Sequence, residues 1–138
     1  MSKVAVAIMA MGMATSLAAA GAGAQTCPVR PPLAACTAPA PGAGARITGP
    51  VLQVIDARTL CVALGPSPSQ WIQVEIADAE PDAGRGALMG AAFARDVQCV
   101  VTRRAATGVR AVCIDLGGNS VGRLAASPGA RMQARDWR

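Results

Sequence analysis

The chain of 138 residues is 52% hydrophobic, 2% aromatic and 15% charged, with a formal net charge of +5 and no histidine. Those figures fit one domain and exclude a disordered chain. The missing imidazole excludes Ser-His-Asp and Cys-His catalysis and every His-ligated metal site.

At the N-terminus, Lys3 is the only charge before Arg30, and Val4 to Ala20 is an unbroken run of apolar and small residues. Ala22-Gly23-Ala24 places small residues at both specificity positions of a signal peptidase. The pattern predicts a signal peptide over residues 1–24, cut before Gln25 and delivering a periplasmic or secreted protein. An uncleaved anchor is the alternative; after cleavage no transmembrane segment is expected. Removal of Lys3 leaves arginine as the only cation, a mildly basic balance that permits an anionic partner without demanding one.

All five cysteines, Cys27, Cys36, Cys61, Cys99 and Cys113, lie beyond the expected cut. In an oxidising compartment they are expected to form disulfides. The odd number leaves one thiol free or bonded to another chain. Residues 25–46 carry Pro28, Pro31, Pro32, Pro39 and Pro41 and almost no charge. They predict an arm or linker without regular structure, folded back by a Cys27–Cys36 bridge.

Residues 47–138 form the expected folded domain. Val51 to Asp56 and Thr59 to Leu64 are strand-prone, the second with Leu60, Val62 and Leu64 on one side. Gly65 to Ser69 is a turn. Gln70 to Ala77 alternates, with Ile72, Val74 and Ile76 inward and Trp71, Gln73 and Glu75 outward. After a loop over Asp78 to Asp82, Gly84 to Asp96 has Leu88, Ala91, Ala92 and Arg95 at helical spacing. Val97 to Thr102 and Val109 to Leu116 are two more strands. Gly117-Gly118 is a turn, and Asn119 is the expected cap of a short helix running to Ala126. The order predicts an α+β, mainly β fold: a five-stranded OB-type barrel with one or two short helices. If the last two strands form a hairpin centred near Ala106, Cys99 faces Cys113 at bonding distance. Cys61 is then the expected unpaired thiol.

Over residues 47–137 the chain resembles the thermonuclease (staphylococcal-nuclease-like) family. Gly49-Pro50-Val51-Leu52-Gln53-Val54-Ile55-Asp56-Ala57-Arg58-Thr59-Leu60 resembles the family's opening strand and D-G-D-T-L turn. Trp71-Ile72-Gln73-Val74-Glu75-Ile76-Ala77-Asp78-Ala79-Glu80-Pro81 resembles the V-R-L-x-G-I-D-A-P-E segment. Val97-Gln98-Cys99 and Arg110-Ala111-Val112-Cys113 resemble the paired cysteine-bearing strands of exported bacterial members. Val121-Gly122-Arg123-Leu124 through Arg135-Asp136-Trp137 resembles the closing helix and tail.

The resemblance implies calcium-dependent phosphodiester hydrolysis. That chemistry needs carboxylates for a hard cation, a glutamate for the attacking water and arginines for the anionic transition state. Carried over position by position, the first calcium carboxylate falls on Arg58, a reversal of charge. The second falls on Asp78 and is kept, with Ala79 following it. The glutamate falls on Pro81, because the order here is Glu80-Pro81. The first phosphate arginine falls on Gln73. The second falls on Val109, one residue before Arg110, and on a strand that displacement reverses the face.

The resemblance therefore implies a degenerate member without the family's catalysis and without a cofactor. Its binding face is expected to involve Arg58, Trp71, Gln73, Arg103 and Arg104, and its partner to be nucleic acid, another anionic polymer, or a protein. Trp71 is either a stacking ring on that face or packed beneath the arm. The alternative is residual calcium-dependent nuclease activity through Asp78, Glu80 and Arg110, with Asp78 as the metal ligand.

Overall fold

The computed structural model describes residues 35–130. The expected signal peptide, Cys27 and the tail around Trp137 lie outside them. In chain order the elements are β1 (Arg46–Val54), β2 (Thr59–Ala63), β3 (Trp71–Ile76), α1 (Gly84–Ala92), β4 (Asp96–Arg104), β5 (Val109–Asp115) and α2 (Val121–Ala126). The strands close into a barrel in the order β1-β2-β3-β5-β4. Every pair is antiparallel except β3–β5. This is the OB-type barrel that the strand periodicity predicts. Among the described residues no helix is long and apolar enough to cross a membrane.

With so few rings available, the interior is built from β-branched and small aliphatic residues. Val51, Val54, Leu60, Val62, Val74, Ile76, Val97 and Val109 have at most 1% of their surface exposed. Burial of each such side chain contributes roughly 1.5–3 kcal/mol. Leu88, Ala91 and Ala92 of α1 and Val121 and Ala125 of α2 join the same core. The β3 alternation is as expected, with Ile72, Val74 and Ile76 inside and Trp71, Gln73 and Glu75 facing outward. In β4 and β5 the inward sets are Val97, Cys99, Val101 and Val109, Ala111, Cys113. Cys99 and Cys113 are register partners and form a disulfide inside the barrel.

The other disulfide departs from expectation. Cys36 is bonded not to Cys27 but to Cys61, and Cys61 is therefore not the unpaired thiol. The reason lies in the alternation of β2. Cys61 faces away from the Leu60/Val62 side, and on an uncovered strand it would be solvated. Instead it is fully buried, because the arm lies over that outer face and brings Cys36 with it. From there the backbone N–H groups of Thr37 and Ala38 donate to the carbonyls of Pro68 and Trp71, each at 3.0 Å. Ala38, Ala40 and Ala45 pack on the core, and Gly44 and Ala45 bond to Val101 where β1 begins. Residues 35–45 of the arm carry no helix or strand, yet they are part of the fold.

Four smaller differences have local causes. Leu64 is 56% exposed because β2 ends at Ala63 and the chain turns into a short 3-10 segment, Pro68–Gln70. Helix α1 stops at Ala92 rather than Asp96, so Arg95 sits in an exposed bend. There the chain is captured by β1: Val51 donates to the Arg95 carbonyl and accepts from the Ala94 N–H. Strand β5 ends at Asp115 and leaves Leu116 exposed. The cap of α2 is Ser120, whose hydroxyl accepts from the Arg123 N–H, and not Asn119.

Asn119 is committed to Asp115: its backbone N–H donates to Asp115 Oδ1 at 2.8 Å, and its amide reaches both carboxylate oxygens. These bonds, the backbone one first, hold the Asp115 pKa below its ordinary 3.8. The stabilisation of this turn is complete above the unfolded-state pKa and is lost as pH falls through the lowered folded value. Asn119→Ala removes the side-chain bonds and keeps the backbone one, so it is expected to raise the Asp115 pKa only part of the way towards 3.8, read by carboxylate carbon chemical shifts in an NMR titration.

Candidate functional site

The outer face of the barrel carries a polar row that crosses four strands. Thr59 on β2 is the register partner of Glu75 on β3, Glu75 of Arg110 on β5, and Arg110 of Arg103 on β4. Arg110 Nη1 lies 3.6 Å from Glu75 Oε1, and Arg58 Nη2 lies 3.9 Å from the same oxygen. Arg110 also donates to the Ala77 carbonyl at 3.2 Å. Two guanidinium groups thus share one carboxylate on a partly exposed face. Such pairs contribute about 0–1 kcal/mol each, so the arrangement orients the arginines more than it stabilises the fold.

The backbone explains why these groups meet. Asp56 Oδ1 accepts the Arg58 N–H and fixes the β1–β2 turn, while the Arg58 carbonyl accepts the Ile76 N–H, which seats Arg58 beside the end of β3. On β4 a bulge between Val101 and Arg103 breaks the alternation. Val101 stays in the core, whereas Thr102 turns its hydroxyl to the Arg110 carbonyl and Arg103 comes into line with Arg110. Gln73 does not point into the row. Its amide donates to Thr107 Oγ1 at 2.7 Å, across to the β4–β5 turn. In that turn Gly108 has φ +78° and lies against the Gln73 carbonyl, where any side chain would collide.

Asp78 stands apart from the arginines' carboxylate. The Ser120 hydroxyl donates to its Oδ2, and its Oδ1 is buried with no hydrogen-bond partner. The N-cap residue of α2 is thereby tied to the loop after β3. Glu80 is exposed, and among its own atoms only the carbonyl is engaged, by Ala83 N–H. Among the described residues no group of three or more acidic or cysteine side chains is placed to hold a metal ion. One carboxylate with a hydroxyl on it does not fit calcium, which takes six to eight oxygens.

Trp71 lies at the opposite end of β3, four residues from Glu75 and about 13 Å along the strand. Its ring N–H donates to the Gly65 carbonyl at 2.8 Å, and its own carbonyl receives the arm. The ring is half-buried and anchors the turn after β2; it does not join the arginine row. Arg104 is exposed at the end of β4, opposite Val109.

The structure thus brings Arg58, Arg103 and Arg110 together and leaves Asp78, Glu80, Gln73 and Trp71 elsewhere. Glu75, which organises two of the arginines, was not among the residues expected at the site. Its signal was present in the outward alternation of β3, which opposes it to the cations of the neighbouring strands. Ser120 as the partner of Asp78 has no sequence signal, since the two are 42 positions apart. Comparison of the chain with protein-family models, curated proteins and solved structures finds no match.

Proposed function

We propose that the chain is a degenerate, exported thermonuclease-like protein that acts by binding an anionic or protein partner rather than by hydrolysing phosphodiesters. The observation that carries this reading is the state of Arg58. The residue at the position of the first calcium carboxylate is a cation engaged with Glu75. A fixed positive charge there repels the ion that the chemistry requires. Further support comes from the replaced positions. Gln73 is used by Thr107, and Arg110, the nearest candidate for the second phosphate arginine, is spent on Glu75 and the Ala77 carbonyl. The two disulfides and the leading apolar segment support a periplasmic or secreted location.

The test is a calcium titration of the purified mature protein by calorimetry, with cleavage of single-stranded DNA assayed on the same samples. The expected result is no binding heat up to millimolar calcium and no cleavage. Calcium binding accompanied by cleavage that Asp78→Ala abolishes would overturn the reading and restore a nuclease built on Asp78 and Glu80.

A further inference from the structure

Beyond the arginine row, the outer face of β4 and β5 carries three exposed aliphatic side chains, with Gln98 beside them as the register partner of Ile114. Val100 and Val112 are register partners with 46% and 40% of their surface exposed, and Ile114, two residues further along β5, has 36%. Ile114 also forms one wall of an open groove of about 390 Å³, completed by Gly118, Asn119, Ser120, Arg123 and Leu124. The strip is bordered by cations. Arg103 and Arg110 stand at one end, Arg46 lies beside Val100 across the β1–β4 pairing, and Arg123 stands at the groove. Among the described residues neither Arg46, Arg103 nor Arg123 has a carboxylate within ion-pair distance. Among the described residues the neighbouring acids are largely committed, Glu75 to two arginines and Asp115 to Asn119, and Asp96 lies at the far margin of β4.

We propose that this face binds an extended, acidic segment of a partner protein. Its apolar side chains lie on Val100, Val112 and Ile114, one of them entering the groove against Leu124, and its carboxylates meet Arg103 or Arg46 at one end and Arg123 at the other. The inference deepens the binding reading above by naming the partner's chemistry. Charge complementarity selects an acidic occupant, since a strip framed by Arg46, Arg103 and Arg123, which meet no carboxylate among the described residues, repels a basic one. The span from Arg110 to Ile114 is about 13 Å, and with the groove it accommodates roughly six residues of extended chain. The contact is made through side chains, because a closed barrel offers no free strand edge for β-augmentation. Aliphatic residues also argue against single-stranded nucleic acid, which uses aromatic platforms; among the described residues no aromatic lies on the strip, and the Trp71 N–H is already engaged.

The experiment is selection from a displayed random-dodecapeptide library on the mature protein, followed by fluorescence anisotropy with the enriched peptide. Enrichment of sequences that combine aliphatic residues with Asp or Glu is expected. Ile114→Glu and Arg123→Glu are each expected to weaken binding tenfold or more, with melting temperatures unchanged because both side chains lie on the surface. No enrichment, or an enriched peptide that binds both variants as it binds the parent, would overturn the proposal. So would tighter competition by a twelve-nucleotide oligothymidylate or by phosphatidylglycerol vesicles, which would assign the face to nucleic acid or to a lipid surface. Calcium-dependent cleavage would sink the loss-of-catalysis reading alone and would leave this peptide assay unaffected.

Discussion

Cys36→Ala/Cys61→Ala is expected to lower the unfolding free energy by about 3–4 kcal/mol, because the bond closes a loop across a sequence separation of 25 and constrains the unfolded chain. For a domain of this size that corresponds to a fall in Tm of order 15–20 °C. Alanine is the informative replacement at Cys61, since a serine hydroxyl would be buried at a site with no exposure. The double variant should also release the arm, since Thr37 and Ala38 hold their places by only two backbone bonds near the barrel. Limited proteolysis between Cys36 and Ala45 should then cut the variant well before the parent. A loss below about 1 kcal/mol, with the arm still protected, would instead assign its attachment to the packing of Ala38, Ala40 and Ala45. The comparison also isolates the role of Cys27. With Cys36, Cys61, Cys99 and Cys113 bonded in pairs, Cys27 is by count the odd one of the five cysteines in the sequence. An alkylation assay on the unreduced parent should therefore label one thiol or reveal a disulfide-linked dimer.

The contrast between the two disulfides shows what sequence periodicity can and cannot determine. The Cys99–Cys113 pair follows from a hairpin, where a centre near Ala106 dictates the facing pairs from Val97–Asp115 to Val101–Ala111 and both cysteines fall on the inward side. The pair Cys36–Cys61 requires knowing what covers the outer face of β2. Strand alternation gives the orientation of Cys61 but no information on an arm that lacks regular structure. Proximity in sequence favoured Cys27 for Cys36, whereas proximity in space is decided by the contacts the arm makes at Pro68, Trp71 and Val101.

The candidate site divides along the same line. The outward placement of Gln73 and Glu75 was legible from the β3 pattern, and the cations Arg58, Arg103 and Arg110 from their positions at strand ends. Which of them meet is a matter of register across β2, β3, β5 and β4, and of the bulge that realigns Arg103. A bulge adds a residue without any periodic signature, so Thr102 and Arg103 read as ordinary alternation until the ladder is seen. The outcome of Trp71 is similar: an outward ring is equally consistent with a ligand platform and with an anchor, and the Gly65 carbonyl decides for the anchor.

Val109→Arg, which would place an arginine at the position where the family resemblance puts the second phosphate ligand, is expected to destabilise the protein by about 4 kcal/mol or more and to restore no cleavage. Val109 is fully buried, opposite Val74 in the parallel β3–β5 ladder, so a guanidinium there enters the barrel core without a partner. Nor can the turn before it be reshaped cheaply. Gly108 holds a positive φ against the Gln73 carbonyl, and Thr107 is bonded to the Gln73 amide. By contrast, Arg110→Ala removes only a partly exposed ion pair and one carbonyl contact and should cost about 1 kcal/mol. Urea unfolding midpoints of the two variants, with cleavage assayed alongside, make the comparison. If Val109→Arg folded with less than about 1 kcal/mol lost, β5 would have to slide by one residue and turn its alternate face outward. Cys113 would then no longer oppose Cys99, so a retained disulfide in that variant would exclude the slip. On the present register the barrel itself keeps an arginine out of position 109: the strand presents Arg110 to Glu75 because Val109 belongs to the core.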